Sequence, residues 1–261
     1  MHKFDFKSIE ADIVERGWAI LKGVYDMALI EDIRADIERQ IPVYERIQKE
    51  EGVFEESQNA YHHSIVGCPA QMKLIDPNPI HGFLEHYFDG RYILNAMGTT
   101  CILPNQPVYT QKIHRDSRSY SDGSRLILNT LIMLDDSTED NGATWMLEGS
   151  HKGGSRPSDE EFYAKSIRAC GQTGDVLLFD GNIWHSSGAN KTDKPRRIIT
   201  PLYSKPFVKQ SLDYPRAFGM DFANKISPEL KQIIGYNALT PTCIQEFYKP
   251  RDKRFYKSDQ G

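Results

Sequence analysis

Apolar positions recur at helical spacing twice near the start of the chain. In KSIEADIVE, residues 7–15, Ile9, Ile13 and Val14 lie near one face. In MALIEDIRADIERQI, residues 27–41, Leu29, Ile30, Ile33, Ile37 and Ile41 do the same, which predicts an amphipathic helix packed on a sheet. Between them GWAILKGVY, 17–25, reads as a strand ending in a turn. VYERIQKEEGVFEESQNAYHHS, 43–64, is charged and aromatic with weak periodicity and predicts a flexible flap. PIHGFLEHYFDG, 79–90, predicts another helix, closed by Gly90. From Tyr92 the period shortens. RYILNAMGTTCIL, PVYTQKIH, SRLILNTLIML, ATWML, GDVLLFDG and RRIITPLYS are short β-rich segments punctuated by Gly, Asn, Asp and Pro. SPELKQIIGY then returns to helix behind a Ser227-Pro228 cap. Helices first and many short strands afterwards predict a mainly β fold with flanking helices, its core a double-stranded β-helix (a cupin-like jelly roll).

The 261 residues show no internal repeat and no low-complexity linker, so a single domain is expected: a helical and strand part over 1–91, a β core over 92–208, and a helix and tail over 209–261. Thirty-two basic residues against 36 acidic ones give a net charge of −4, with no basic cluster of the kind nucleic acid requires. No apolar run approaches the roughly 20 residues of a membrane span. MHKFDFKSIEADIVERG lacks the apolar core of a signal peptide. Cys68, Cys101, Cys170 and Cys243 are far apart and form no CxxC pair, which favours a reducing, cytoplasmic setting.

Chemistry first shows in HRDS, residues 114–117. Alternate residues of a strand share a side, so His114 and Asp116 project together while Arg115 points away. One imidazole and one carboxylate are two thirds of a facial triad that suits Fe(II) and leaves coordination positions open. A third ligand is then expected from a histidine on a neighbouring strand. His2 is terminal, His62 and His63 sit in the expected flap, His81 and His86 on a helix, and His151 in the loop EGSHKGG. His185 remains, at the end of the buried run VLLF and the turn DGN. In KPRRIITPLY, Arg196 and Arg197 follow it by 11 and 12 residues. A guanidinium there would pair bidentately with the far carboxylate of an iron-chelating organic acid.

HRD, WHSSGAN and the arginine 11 residues past His185 resemble the phytanoyl-CoA dioxygenase family. The likeness extends to ERGWAILKGVYDMALIEDIRADIE, LNTLIMLDDSTEDNGATWMLEGSHKGG and ISPELKQIIGY, about residues 8–237. The resemblance implies Fe(II)- and 2-oxoglutarate-dependent oxygenation with O2, on a double-stranded β-helix. It implies His114, Asp116 and His185 as metal ligands and Arg196, chosen over Arg197 on spacing, at the distal carboxylate of 2-oxoglutarate. Ser187 is implied as a second donor to that carboxylate and Asn129 as a further cosubstrate contact. The expected substrate is a small-molecule metabolite or natural-product intermediate, hydroxylated or otherwise oxidised at a C–H bond, with release of succinate and CO2. Asp116 is present where related halogenases carry a small residue, so a hydroxylase-type enzyme is expected. Glu148 stands where the family usually has a proline before GSH, a departure at the site mouth.

Blander readings stand beside these. HxD alone recurs by chance, Arg197 reads simply as a surface charge, and Trp184 as readily as core packing as substrate contact. LDDSTEDNG does not match a calcium loop and reads as a polar turn. A cupin-like metalloenzyme without 2-oxoglutarate shares the fold but needs no arginine at that offset. A β-sandwich sugar-binding module needs neither HxD nor a distal histidine. A pseudoenzyme that keeps its ligands stays open too. GxxxxGK[ST], GxSxG and GxGxxG are all absent.

Overall fold

A computed structural model describes residues 4–254, 256 and 257; His2 lies outside them. Helix α1 (Phe6–Arg16) starts at Asp5, whose carboxylate accepts from the Lys7 and Ser8 N–H groups, and stops at Gly17 in the left-handed region. Strand β1 (Trp18–Leu21) leads into α2 (Met27–Glu50), which buries Ile30, Ile33 and Ile37. Then come α3 (Phe54–Ser57), β2 (Ala60–His62), α4 (His81–Phe88), β3 (Ile93–Ile102), β4 (Ile127–Met133) and β5 (Thr144–Met146). After α5 (Asp159–Lys165) come β6 (Ile167–Ala169), β7 (Val176–Asp180), β8 (His185–Ser186) and β9 (Arg196–Ser204). Short helices α6 (Tyr214–Phe218), α7 (Pro228–Ile234) and α8 (Ile244–Phe247) finish the chain.

The strands form two antiparallel sheets, a six-stranded one in the order β1-β7-β4-β9-β3-β2 and a three-stranded one in the order β6-β5-β8. Both faces of the large sheet are buried, which is why VLLF reads as a continuous apolar run instead of alternating. Along β7, Val176 and Leu178 join the cluster packed under α1, α2 and α4, while Leu177 and Phe179 face Met146, Ala169 and Ile183 of the other layer. Two sheets enclosing an apolar interior, with helices on the outer face, make the expected jelly roll. Its edge strands β1 and β2 come from residues before Tyr92, so the β-helix draws on more of the chain than 92–208.

Two expectations need correction. Residues 43–50 are not a flap: α2 continues through Pro42 to Glu50. Proline removes one N–H bond, but beyond it the Tyr44 ring packs edge-on against Tyr61 and the buried Gln48 amide donates to the Ala60 carbonyl, 2.9 Å away. Residues 60–62 then form β2, paired with β3. PVYTQKIH is not a strand either. Tyr109–Gln111 is a 3-10 turn, and His114 makes a single bridge.

No helix among the described residues is long and apolar enough to cross a membrane.

Candidate active site

The bridge partner of His114 is His185. Its N–H donates to the His185 carbonyl over 3.0 Å and receives the reverse bond over 2.9 Å. This reciprocal pair replaces the regular strand pairing expected for HRDS and puts the two rings 4.3 Å apart, centroid to centroid. Asp116 closes the group. Its carboxylate oxygens lie 3.7 Å from His114 Nε2 and 3.7 Å from His185 Nε2. Among the described residues these three form the one cluster of His, Cys, Asp or Glu with donor atoms close enough for a metal ion.

Each ring is oriented by its own backbone. His114 Nδ1 donates to the Lys112 carbonyl at 2.7 Å, and His185 Nδ1 to the Ile183 carbonyl at 3.0 Å. A carbonyl only accepts, so the proton sits on Nδ1 and both Nε2 lone pairs face Asp116. Burial, reinforced by His114 and opposed by Asp116, pushes His185 down to about 4, so it is neutral near pH 7. Two imidazole Nε2 atoms and one carboxylate on one side of a cavity are a donor set that fits Fe(II).

The cluster lines a cavity of about 480 Å3 between the sheets. Leu131, Phe179, Ile198 and Leu202 supply its apolar wall, and Asn129, Thr144, Ser187 and Thr200 polar points on it. Asn129 is 2% exposed and its amide nitrogen has no partner, so a donor is held out toward the cavity. Ser187 Oγ meets Thr110 Oγ1 at 3.0 Å.

The period of two in β9 separates the adjacent arginines. Ile198, Thr200 and Leu202 face the cavity, and Arg196 shares their parity but is not itself among the residues lining it. It is fully buried, donating to the Asn141 and Gly142 carbonyls and to Ser137 Oγ at 3.2, 2.6 and 3.3 Å. No carboxylate among the described residues bonds to it, and burial depresses it to about 9. Arg197 points to the outer face, where it pairs with Asp135 and with Glu38 of α2, each at 2.9 Å.

The other singled-out residues fall as follows. His62 and His63, from the segment expected as a flap, line the cavity; His62 Nε2 meets the Tyr109 hydroxyl at 3.1 Å, and His63 Nδ1 the Tyr214 hydroxyl at 2.9 Å. Trp184 lies under the Arg115 guanidinium, 5.3 Å from its ring centre, outside the cavity lining. Glu148 pairs with Arg16 at 2.6 Å. In LDDSTEDNG, Asp135 is engaged by Arg34 and Arg197, and Asp136 by Thr173. The cysteines are free, Cys68 and Cys101 buried. Tyr109 and Arg118 also line the cavity and were not foreseen, although Arg118 continues the 114, 116 alternation.

A jelly roll with a His-x-Asp and a distal His converging in its interior is the architecture of a mononuclear non-haem iron oxygenase. The chain belongs to the phytanoyl-CoA dioxygenase family, whose model matches residues 13–198. It is thus an Fe(II)- and 2-oxoglutarate-dependent dioxygenase, with O2 as the oxidant. The uncharacterized protein Rv1501 of Mycobacterium tuberculosis is 26% identical over 94% of this chain and 92% of its own length. Dioxygenase sphC of Aspergillus fumigatus is 27% identical over 87% of this chain and 66% of its own. Among solved structures, AviO1 from Streptomyces viridochromogenes superposes with a TM-score of 0.61 at 22% identity, over 79% of this chain and 98% of its own. The α-ketoglutarate-dependent epimerase SnoN of nogalamycin biosynthesis gives 0.61 at 18%, over 76% and 80%. At these identities the structures speak for the fold.

Proposed function

We propose that the enzyme oxidises a C–H bond of a small-molecule metabolite, hydroxylation being the simplest outcome. His114, Asp116 and His185 hold the iron; Arg196 binds the distal carboxylate of 2-oxoglutarate. The observation that carries this reading is the pair of Nε2 lone pairs and one carboxylate facing a common point on a cavity wall. When bound, the metal supplies activation of O2.

The chain's own residues do the rest. The Lys112 and Ile183 carbonyls hold the imidazoles in the ligating tautomer. Arg196 is a buried cation without an anionic partner, and a carboxylate would offset its desolvation. Ser187 and Asn129 offer the cosubstrate hydroxyl and amide donors. The apolar wall keeps water from the reacting carbon. The stoichiometry closes: one oxygen atom of O2 enters the substrate and one enters succinate. CO2 leaves, and the oxidant's four electrons come in equal pairs from 2-oxoglutarate and the C–H bond.

Adding Fe(II) and then 2-oxoglutarate to metal-free protein without air tests this. A visible metal-to-ligand charge-transfer band that needs both, and fades on admitting O2 as succinate appears, is expected. Tight Fe(II) binding without the band would overturn the 2-oxoglutarate assignment; no Fe(II) binding would overturn the metal site.

A further inference from the structure

We propose that the cavity selects small substrates bearing a carboxylate or phosphate group, and that Arg118 is the residue that binds it. This rests on the cavity being the active site, as read above.

Arg118 lines the cavity two residues beyond Asp116, and among the described residues it makes no hydrogen bond or ion pair. Nearby arginines are engaged. Arg115 donates to the Gly154 carbonyl and lies over the Tyr120 and Trp184 rings, and Arg125 pairs with Glu10. The backbone carrying Arg118 is nevertheless held on both sides. Ser117 N–H donates to the Gly181 carbonyl at 2.8 Å; Ser121 N–H donates to Asn182 Oδ1 at 3.3 Å, and Asn182 Nδ2 to Ser121 Oγ at 2.8 Å. A pinned loop that presents an unpaired guanidinium to a cavity is arranged to meet a ligand.

Charge balance points the same way. Asp116 is the one acidic residue on the cavity wall, and the metal takes it. Fe(II) held there would be neutralised by Asp116 and the chelating carboxylate of 2-oxoglutarate, and Arg196 would be matched by the distal one. Burial lowers His62 and His63, which disfavours their charged forms. Arg118 is then the unmatched charge on the cavity wall, exposed and available to pair with an anion. The volume bounds the rest of the molecule. About 480 Å3, shared with 2-oxoglutarate, lies toward the small end of the roughly 300–1,000 Å3 of ligand pockets. The apolar wall calls for a hydrocarbon portion, and His62, His63 and Tyr109 for a few neutral polar groups.

Calorimetry on the protein loaded with Mn(II) and 2-oxoglutarate, which binds without turning over, tests this. The probes are aliphatic and aromatic monocarboxylates, each paired with its primary amide, and phosphate monoesters, each paired with its alcohol. Anionic members are expected to bind at least about tenfold more tightly than their neutral partners. Arg118→Gln, an exposed and fold-neutral change, should erase that difference while 2-oxoglutarate affinity stays within about twofold. The better arm identifies the anion. A set with no anion preference overturns the proposal, as does a preference that survives in Arg118→Gln. So does a fall in 2-oxoglutarate affinity in that variant, which would assign Arg118 to the cosubstrate. Failure of the parent protein to bind Mn(II) or 2-oxoglutarate overturns the underlying functional reading instead.

Discussion

At the scale of the residue, the His114–Asp116–His185 group depends on hydrogen bonds that reach only two positions back along the chain. His114 and His185 each give their Nδ1 proton to the carbonyl of residue i−2, so tautomer and ring direction are set locally. Asp116 is the cluster's single carboxylate. Asp116→Ala is expected to weaken Fe(II) by more than the ~10–100-fold that loss of a supporting hydrogen bond costs, as read by competitive metal titration. Arg196 and Arg197 are neighbours with opposite surroundings, one sealed inside and the other paired with Asp135 and Glu38. Arg196→Gln should therefore cost about 1.5–3 kcal/mol of 2-oxoglutarate binding, about 10- to 150-fold in Kd, and leave Fe(II) in place. Arg197→Gln should leave that Kd unchanged. The reverse pattern in a 2-oxoglutarate titration would mean the spacing from His185 had been misjudged by one residue.

At the scale of the element, the site depends on a turn and on strand parity. The turn after β4 reaches Gly142, whose φ is 91° and whose carbonyl receives Arg196 Nη2. A Cβ there would come within 2.5 Å of the Gly188 carbonyl oxygen, just past Ser187. Gly142→Ala should therefore destabilise the fold by more than about 1 kcal/mol in urea unfolding and also raise the 2-oxoglutarate Kd, because the strained turn carries an Arg196 acceptor. Helices were readable where isoleucines recur at 3.6 spacing, as in α2 up to Ile41. The last turns of α2 were not, because after Pro42 they are stabilised by Tyr44 and Gln48 meeting β2, through contacts that the helical period does not report. The reading of HRDS as strand failed for a similar reason. Its single bridge is to a residue 71 positions on, and local propensity carries no trace of that pairing.

At the scale of the whole molecule, the triad joins the His114 loop to β8 of the smaller sheet, while Arg196 comes from β9 of the larger one. A metal bound by His114, Asp116 and His185 favours the folded state, in which these residues meet. At a free concentration about 100 times Kd, Fe(II) should stabilise by about 2.7 kcal/mol, or about 5–10 °C in melting temperature for a chain of this size. A chelator should reverse the shift, and His185→Ala should abolish it; calorimetric scans with and without metal check both.

The jelly roll was legible along the chain, and so were His114, Asp116 and His185 as a candidate group, which the structure brings together. Hydrophobic period reports burial, and a residue type at a set spacing reports the chemistry it can perform. The walls of the cavity were not. His62 and His63 reach it because β2 pairs with the edge of β3, and Tyr109 and Arg118 because two loops fold over the same opening. Those placements depend on contacts between segments tens of residues apart. They decide which polar and charged groups line the cavity, information that lies in the packing of the sheets and not in any local stretch of sequence.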